Sequence, residues 1–318
     1  MMGRVLYLIA AILFFVRTLS LGAPTWTPLF NGKDFSGFYT WIDGKGKNQD
    51  PGGYFSVDPD SSIHVYAKSA DGSTISYGYL ATEKEYSHYR IRWQFKFGTK
   101  RFAPTTAKRD AGLLYHITGP DQDGWPRCVE FQIQEGDVGD VWALRNVWVT
   151  TTVDPNSIAG TPKFMEASAG GVLYEHPAPT DYVGLSKNAN YEIAGWNDLE
   201  MYVHDDSVVY YTNGKVNNRV FKLRQRMATN PDQFAPLLKG KIGFEAEAAE
   251  VYYRRVEIMD LTGSTTGLSP AFRYGTGKSI RSGKPVAGEE GFDARGRTSD
   301  AIHPGIYFRT PTKANLMR

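Results

Sequence analysis

The stretch Cys128-Val-Glu-Phe-Gln-Ile-Gln-Glu135 decides the fold. Val129, Phe131 and Ile133 alternate with Glu130, Gln132 and Gln134. Successive side chains of a β-strand point to opposite faces. One face therefore packs inward, and the other aligns a carboxylate with two carboxamides. Just upstream, Gly112-Leu-Leu-Tyr-His-Ile117 reads as a second strand. Such a polar row on an open sheet face suits hydroxyl-rich ligands, because each group can donate to or accept from a hydroxyl. It also offers one acid or base.

The same period of two continues outward. From His88 to Phe97, Tyr89, Ile91, Trp93, Phe95 and Phe97 oppose Arg90, Arg92, Gln94 and Lys96. From Gly240 to Glu247, Ile242, Phe244 and Ala246 oppose Lys241, Gly243, Glu245 and Glu247. Further strands are expected at 54–57, 62–65, 77–81, 141–152 and 251–259, with a hairpin around Asp205-Asp206. A helical turn is expected only near Pro231 to Leu238. Many short strands, turn signals between them and almost no helix predict an all-β antiparallel sandwich or barrel. The stretch from Asp154 to Asn190 is rich in Gly, Pro and polar residues and predicts long loops.

The chain opens with Gly3-Arg4, an apolar run from Val5 to Val16, and small residues before Pro24. That is the layout of an export signal, and the run is short for a membrane span of about 20 residues. Residues 1–23 are read as a signal and 24–262 as one domain. Residues 263–318 are read as a basic, Gly/Ser-rich tail expected to be disordered. The mature chain is expected outside the cytoplasm, with no integral membrane span. The tail is either merely solvated or attached to an acidic surface. One cysteine, Cys128, rules out an intrachain disulfide and multi-cysteine zinc sites. A net charge of +2 gives no case for nucleic acid.

Several motifs then converge in order. Leu29-Phe-Asn-Gly-Lys-Asp-Phe-Ser-Gly37 resembles the opening of the 3-keto-disaccharide hydrolase domain family. Asp110-Ala-Gly-Leu-Leu-Tyr-His116 and Val129-Glu-Phe-Gln-Ile-Gln134 are similar to two of its strands. Gly195-Trp-Asn197, Thr212-Asn-Gly-Lys215, Gly240-Lys-Ile-Gly-Phe244 and Tyr253-Arg254 are similar to its later landmarks. The likeness runs from about Trp26 to Leu261. It implies a concanavalin- or laminin-G-like antiparallel β-sandwich, a jelly roll with long loops and a carbohydrate cleft. It also implies a glycoside substrate oxidised at C3, cleaved by lyase, hydratase or net hydrolase chemistry. The chain departs from the family pattern at Gln134-Glu135-Gly136-Asp137 and at Tyr253-Arg254-Arg255.

A C3 ketone acidifies the C2 proton, so a base can remove it and the C1 substituent can leave by elimination. That route needs a base, a stabiliser for the enolate oxygen and an acid for the leaving group. Glu130 is the first candidate, and His116 is its candidate partner or a metal ligand. Gln132 and Gln134 are candidate hydroxyl binders. Trp125 either stacks on a sugar ring or anchors a lid. Arg109 and Asp110 either bind substrate or pair with each other. Glu245 and Arg254 either complete the polar face or form a structural ion pair. Glu135 and Asp137, with Asp140, are a candidate oxygen-rich site for a divalent cation such as Ca or Mn, if Gly136 re-aims Glu135; the alternative is a polar turn. Two other classes stay open: a carbohydrate-binding module, and a conventional laminarinase-like glycosidase. The latter needs paired carboxylates, and a glutamine can be neither nucleophile nor proton donor.

Overall fold

A computed structural model describes residues 24–175, 182–227, 229–230 and 233–262. The predicted signal at 1–23 and the tail at 263–318 lie outside the described residues. Among the described residues there is no α-helix, only two single 3-10 turns at Pro155–Ser157 and Ala167–Ala169. All the strand ladders are antiparallel. They form two sheets packed face to face, as the sequence pattern predicts.

One sheet has eight strands. In spatial order they are Tyr182–Leu185, Val141–Leu144, Arg127–Gln132, Gly112–Thr118, Lys241–Ala246, Gly78–Thr82, Phe38–Ile42 and Gly46–Lys47. The other has eleven, centred on Asn197–His204, His88–Arg101 and Ala249–Asp260. The two opening segments of the sequence are neighbours, with Leu114 opposite Glu130 and Gly112 opposite Gln132.

The alternation decides which side chains meet between the sheets. Val129, Phe131 and Ile133 enter the main core with Leu113, Tyr115, Ile242 and Phe244 from the same sheet. The opposite sheet supplies Tyr89, Ile91, Trp93, Phe95, Tyr210 and Tyr253. Phe131 stacks on Tyr210 at 4.4 Å and meets Trp93 edge-on at 5.4 Å. Rings of this size dominate core energetics; cutting Phe131 back to Ala should cost about 3–5 kcal/mol. The Tyr210 hydroxyl also spans the sandwich, reaching the Tyr115 hydroxyl at 2.8 Å and the Glu130 carbonyl at 3.2 Å.

Two sequence expectations are corrected. Within 231–238, Phe234–Pro236 is a short strand paired to Arg224–Arg226, not a helical turn. The strand that opens the sequence reading ends at Gln132, so Gln134 and Glu135 lie past it, where the chain turns through Gly136 (φ 84°).

Candidate active site

The eight-stranded sheet turns its other face outward, away from the main core. Three carboxylates gather there: Glu130, Glu245 and Glu247 are all buried, each with an oxygen within 4.8 Å of the others. Glu130 comes from the Arg127–Gln132 strand, Glu245 from Lys241–Ala246, and Glu247 from the turn that follows. Gly243 pairs with Leu114 and Phe244 with Leu113, so Glu245 comes beside Gly112 in the same register. Gly112 is what lets the acids meet. A Cβ there would run into Glu245 Oε2 and lie 2.6 Å from Glu130 Oε1. Like charges this close are unfavourable in themselves, and clusters of this kind are candidates for function.

Aromatic side chains surround it. Tyr39, Tyr79, Leu114, Trp125, Cys128 and Leu144 form a second apolar cluster on this face, joined by Trp41, Tyr77, Trp142 and Tyr182. Trp142 is the cross-strand partner of Glu130, and Tyr79 that of Glu245. The loop between Gly119 and Pro126 folds over the wall and is held by side chains of the sheet. Tyr39 and Tyr79 both donate to Asp121 Oδ1, at 2.6 and 3.0 Å. Trp41 Nε1 donates to Asp123 at 3.2 Å, and the Gly124 N–H to Asp43 at 3.0 Å. Burial pushes the Asp43 carboxyl up to about 6, against the Gly124 N–H, which favours its charged form. Acids, hydroxyls and flat aromatic faces in one place are what a sugar ring requires.

A model of the 3-keto-alpha-glucoside-1,2-lyase-like domain matches residues 25–259. The chain belongs to that family. No curated protein matches it. Among solved structures, a candidate glycosyl hydrolase from Parabacteroides distasonis is 20% identical over 74% of this chain and 94% of its own, with a TM-score of 0.42. A Bacillus subtilis protein of unknown function with a galectin-like fold is 14% identical over 75% and 96%, with a TM-score of 0.39. A Bacillus licheniformis β-glucanase is 11% identical over 76% and 99%, with a TM-score of 0.35.

In this lyase-like domain the residues singled out from sequence divide sharply. Glu130, Gln132 and Glu245 reach the outer face together. Gln132 is buried, and its own Oε1 accepts the Ile133 N–H at 3.1 Å. Trp125 is the lid anchor rather than an exposed stacking platform: it is 1% exposed and lies parallel to Tyr77 at 6.2 Å. Arg109 and Asp110 do not pair with each other. Gln134 donates to Asp110 Oδ2 at 2.7 Å, whereas Arg109 is engaged elsewhere.

Three expectations fail on geometry. His116 does not join Glu130. It sits at a bulge with φ 52°, and its Nε2 lies 2.8 Å from the Asp205 carbonyl in the opposite sheet. Burial lowers its pKa to about 4, so it is a neutral bridge between sheets. Arg254 belongs to the far side of the other sheet, where it donates to Gln94 at 2.8 Å and covers Trp196. It therefore cannot pair with Glu245. Glu135 and Asp137 form no cation site with Asp140, because cationic side chains already hold them. Glu135 takes Arg109 at 2.8 Å and Arg101 at 3.0 Å, and the Arg109 hydrogen bond leads in holding its carboxyl near 2. Burial pushes Asp137 up, but Lys108 and Lys187 together bring it below the ordinary value.

The sequence reading missed the aromatic wall of Tyr39, Trp41, Tyr79 and Trp142, and the clamp at Asp121. Their signal was only that Tyr77 and Tyr79 share one side of a strand. Which strand lies beside which is a non-local fact. An oxygen-rich set now exists at Glu130, Glu245 and Glu247, and three carboxylates are the donor type that a hard cation such as Ca or Mn takes.

Proposed function

We propose that the chain is an exported enzyme that cleaves 3-keto-glycosides by removing the C2 proton. The observation that carries this reading is the trio of carboxylates on an aromatic sheet face, in a chain of this family. Glu130 takes the C2 proton, and the electrons pass to the C3 oxygen as an enolate. The enolate collapses, forms the C1–C2 double bond and expels the C1 substituent. Glu245 or Glu247 gives that leaving oxygen its proton. Water adding at C1, with a proton returned to C2, completes a net hydrolysis. Gln132 orients a ring hydroxyl, and the tyrosine and tryptophan faces hold the sugar. Those carboxylate oxygens of Glu130, Glu245 and Glu247 that stay ionised and are not moving a proton would hold a hard divalent ion, which would supply electrostatic stabilisation of the enolate oxygen. Export is supported by the basic and then apolar opening of the sequence.

The test is incubation with 3-keto-trehalose or a 3-keto-glucoside, with and without added divalent ion. Wild type turns it over, and Glu130→Gln loses about 10²–10⁴-fold. No turnover by wild type, or full activity in Glu130→Gln, ends the proposal. A second reading, conventional glycosidase chemistry, gains from the proximity of Glu130 and Glu245, since retention needs carboxyls about 5–5.5 Å apart. It requires cleavage of unoxidised glycans, which a broad glycan panel checks.

A further inference from the structure

One end of the central strands of the eleven-stranded sheet carries a cluster that the chemistry above does not use. His88 and His204 are cross-strand partners, with ring centroids 4.4 Å apart and planes tilted by 38°. Asp205 follows His204 and opens the two-residue turn to Ser207. One Asp205 oxygen is 2.8 Å from His88 Nε2, and the other is 3.9 Å from His204 Nδ1. The three side chains are 28%, 38% and 40% exposed, although His88 Nε2 itself is shielded from solvent.

The short contact between His88 and Asp205 is not aligned as a hydrogen bond: His88 Nε2 has no hydrogen-bond partner. Two ligands of one tetrahedral ion, with bonds of about 2.0 Å, stand about 3.3 Å apart. With one donor atom taken from each side chain, the three lie within 4.8 Å of one another, so small side-chain adjustments bring them to that spacing. The turn itself is held on both sides. Its Asp205 N–H donates to the Ser87 carbonyl at 3.3 Å, and its carbonyl lies 2.8 Å from the buried His116 Nε2. A fixed turn of this kind presents its carboxylate with little entropy left to lose.

We propose that His88, His204 and Asp205 form a binding site for a divalent transition-metal ion of the zinc class, with water as the fourth ligand. Two imidazoles and one carboxylate suit such an ion, whereas calcium and magnesium demand six or more oxygens. The site joins the first residue of the 88–101 strand to the last residue of the 197–204 strand and to the turn beyond it. A bound ion thus acts as a cross-link in a chain with a single cysteine. It binds the folded state and raises stability by mass action.

The experiment uses the tag-free chain with Co²⁺ as a spectroscopic probe and Zn²⁺ as the stabiliser. Wild type is expected to show the visible bands of tetrahedral Co²⁺. At Zn²⁺ about 100-fold above Kd, its Tm should rise by roughly 5–10 °C. His204→Gln and Asp205→Asn should each lose the bands and the shift, while Glu130→Gln keeps both. Absence of bands and shift in wild type overturns the proposal. So does their survival in His204→Gln and Asp205→Asn, or their loss in Glu130→Gln, which assigns the ion to the acidic cluster.

Discussion

The two outer faces of this sandwich are built from similar residues and behave differently. On the eleven-stranded sheet, charges of opposite sign stand across neighbouring strands. Arg90 pairs with Glu200, Arg92 with Glu257 at 2.8 Å, and Gln94 donates to Asp198 at 2.7 Å. An open groove of about 830 Å³ runs over this ladder, and Arg90, Arg92, Glu200 and Glu257 in its lining pair with one another. On the eight-stranded sheet, Glu130, Glu245 and Glu247 stand together, beneath an aromatic wall and a clamped loop. Opposite charges across strands are the inexpensive way to solvate a sheet. Like charges gathered out of water are costly, which makes this face the candidate for the proposed chemistry. The groove is therefore the less informative of the two faces.

That contrast can be broken by mutation. The largest effect is expected on the acidic face: Glu130→Gln should lower turnover of a 3-keto-glucoside by about 10²–10⁴-fold. Because it relieves repulsion, its Tm should stay level or rise, as thermal unfolding will show. Next comes His116, which belongs to neither face and ties the sheets together. Its pKa is about 4 in the folded chain against 6.5 for the ordinary imidazole. Above pH 6.5 both states are neutral, and this contribution is fully present. Between 6.5 and 4 the unfolded chain binds the proton first, so stability falls as pH falls, by up to about 3 kcal/mol. Denaturant titrations across that window should show a shallower slope in His116→Gln.

Gly112→Ala sharpens the contrast further. Its methyl group would press on the Glu130 and Glu245 carboxylates. Those are side-chain ends, so they move aside rather than unfold the sheet. Activity should drop about 10–100-fold with Tm nearly held, a misplacement effect. The smallest effect is expected on the opposite face. Arg92→Ala or Glu257→Ala should change stability by less than about 1 kcal/mol, since the pair is partly exposed and screened. Turnover should not change. A large loss of activity there would erase the distinction between the faces.

Much of this was legible in the sequence, for a physical reason. The period of two is local, so Val129, Phe131 and Ile133 announced their inward side, and Glu130 and Gln132 their outward side. Glu245 was readable in the same way, whereas Glu247 lies in the turn just past the strand end. Pairing was not readable. That Gly112 lies between two acids, or that Trp142 flanks Glu130, depends on which strands become neighbours. His116 shows the limit best. A regular strand would have aimed it outward with Leu114, but a bulge between Tyr115 and Thr118 turns it toward the other sheet. Glu135 failed for a related reason, because the strand stops at Gln132 and two arginines wait beyond its end. The carboxylate that the sequence singled out thus keeps its place, with other acids rather than a histidine for company.

If Glu130 removes the C2 proton of an oxidised sugar, solvent supplies the hydrogen found there after cleavage. Cleavage of a 3-keto-glucoside in D₂O, followed by NMR, tests it most directly. Deuterium is expected at C2 of the released 3-keto-sugar, above the rate in a control without enzyme, with loss of that label together with cleavage in Glu130→Gln. Cleavage that leaves the C2 hydrogen in place would contradict it and assign the acids to ordinary glycoside hydrolysis.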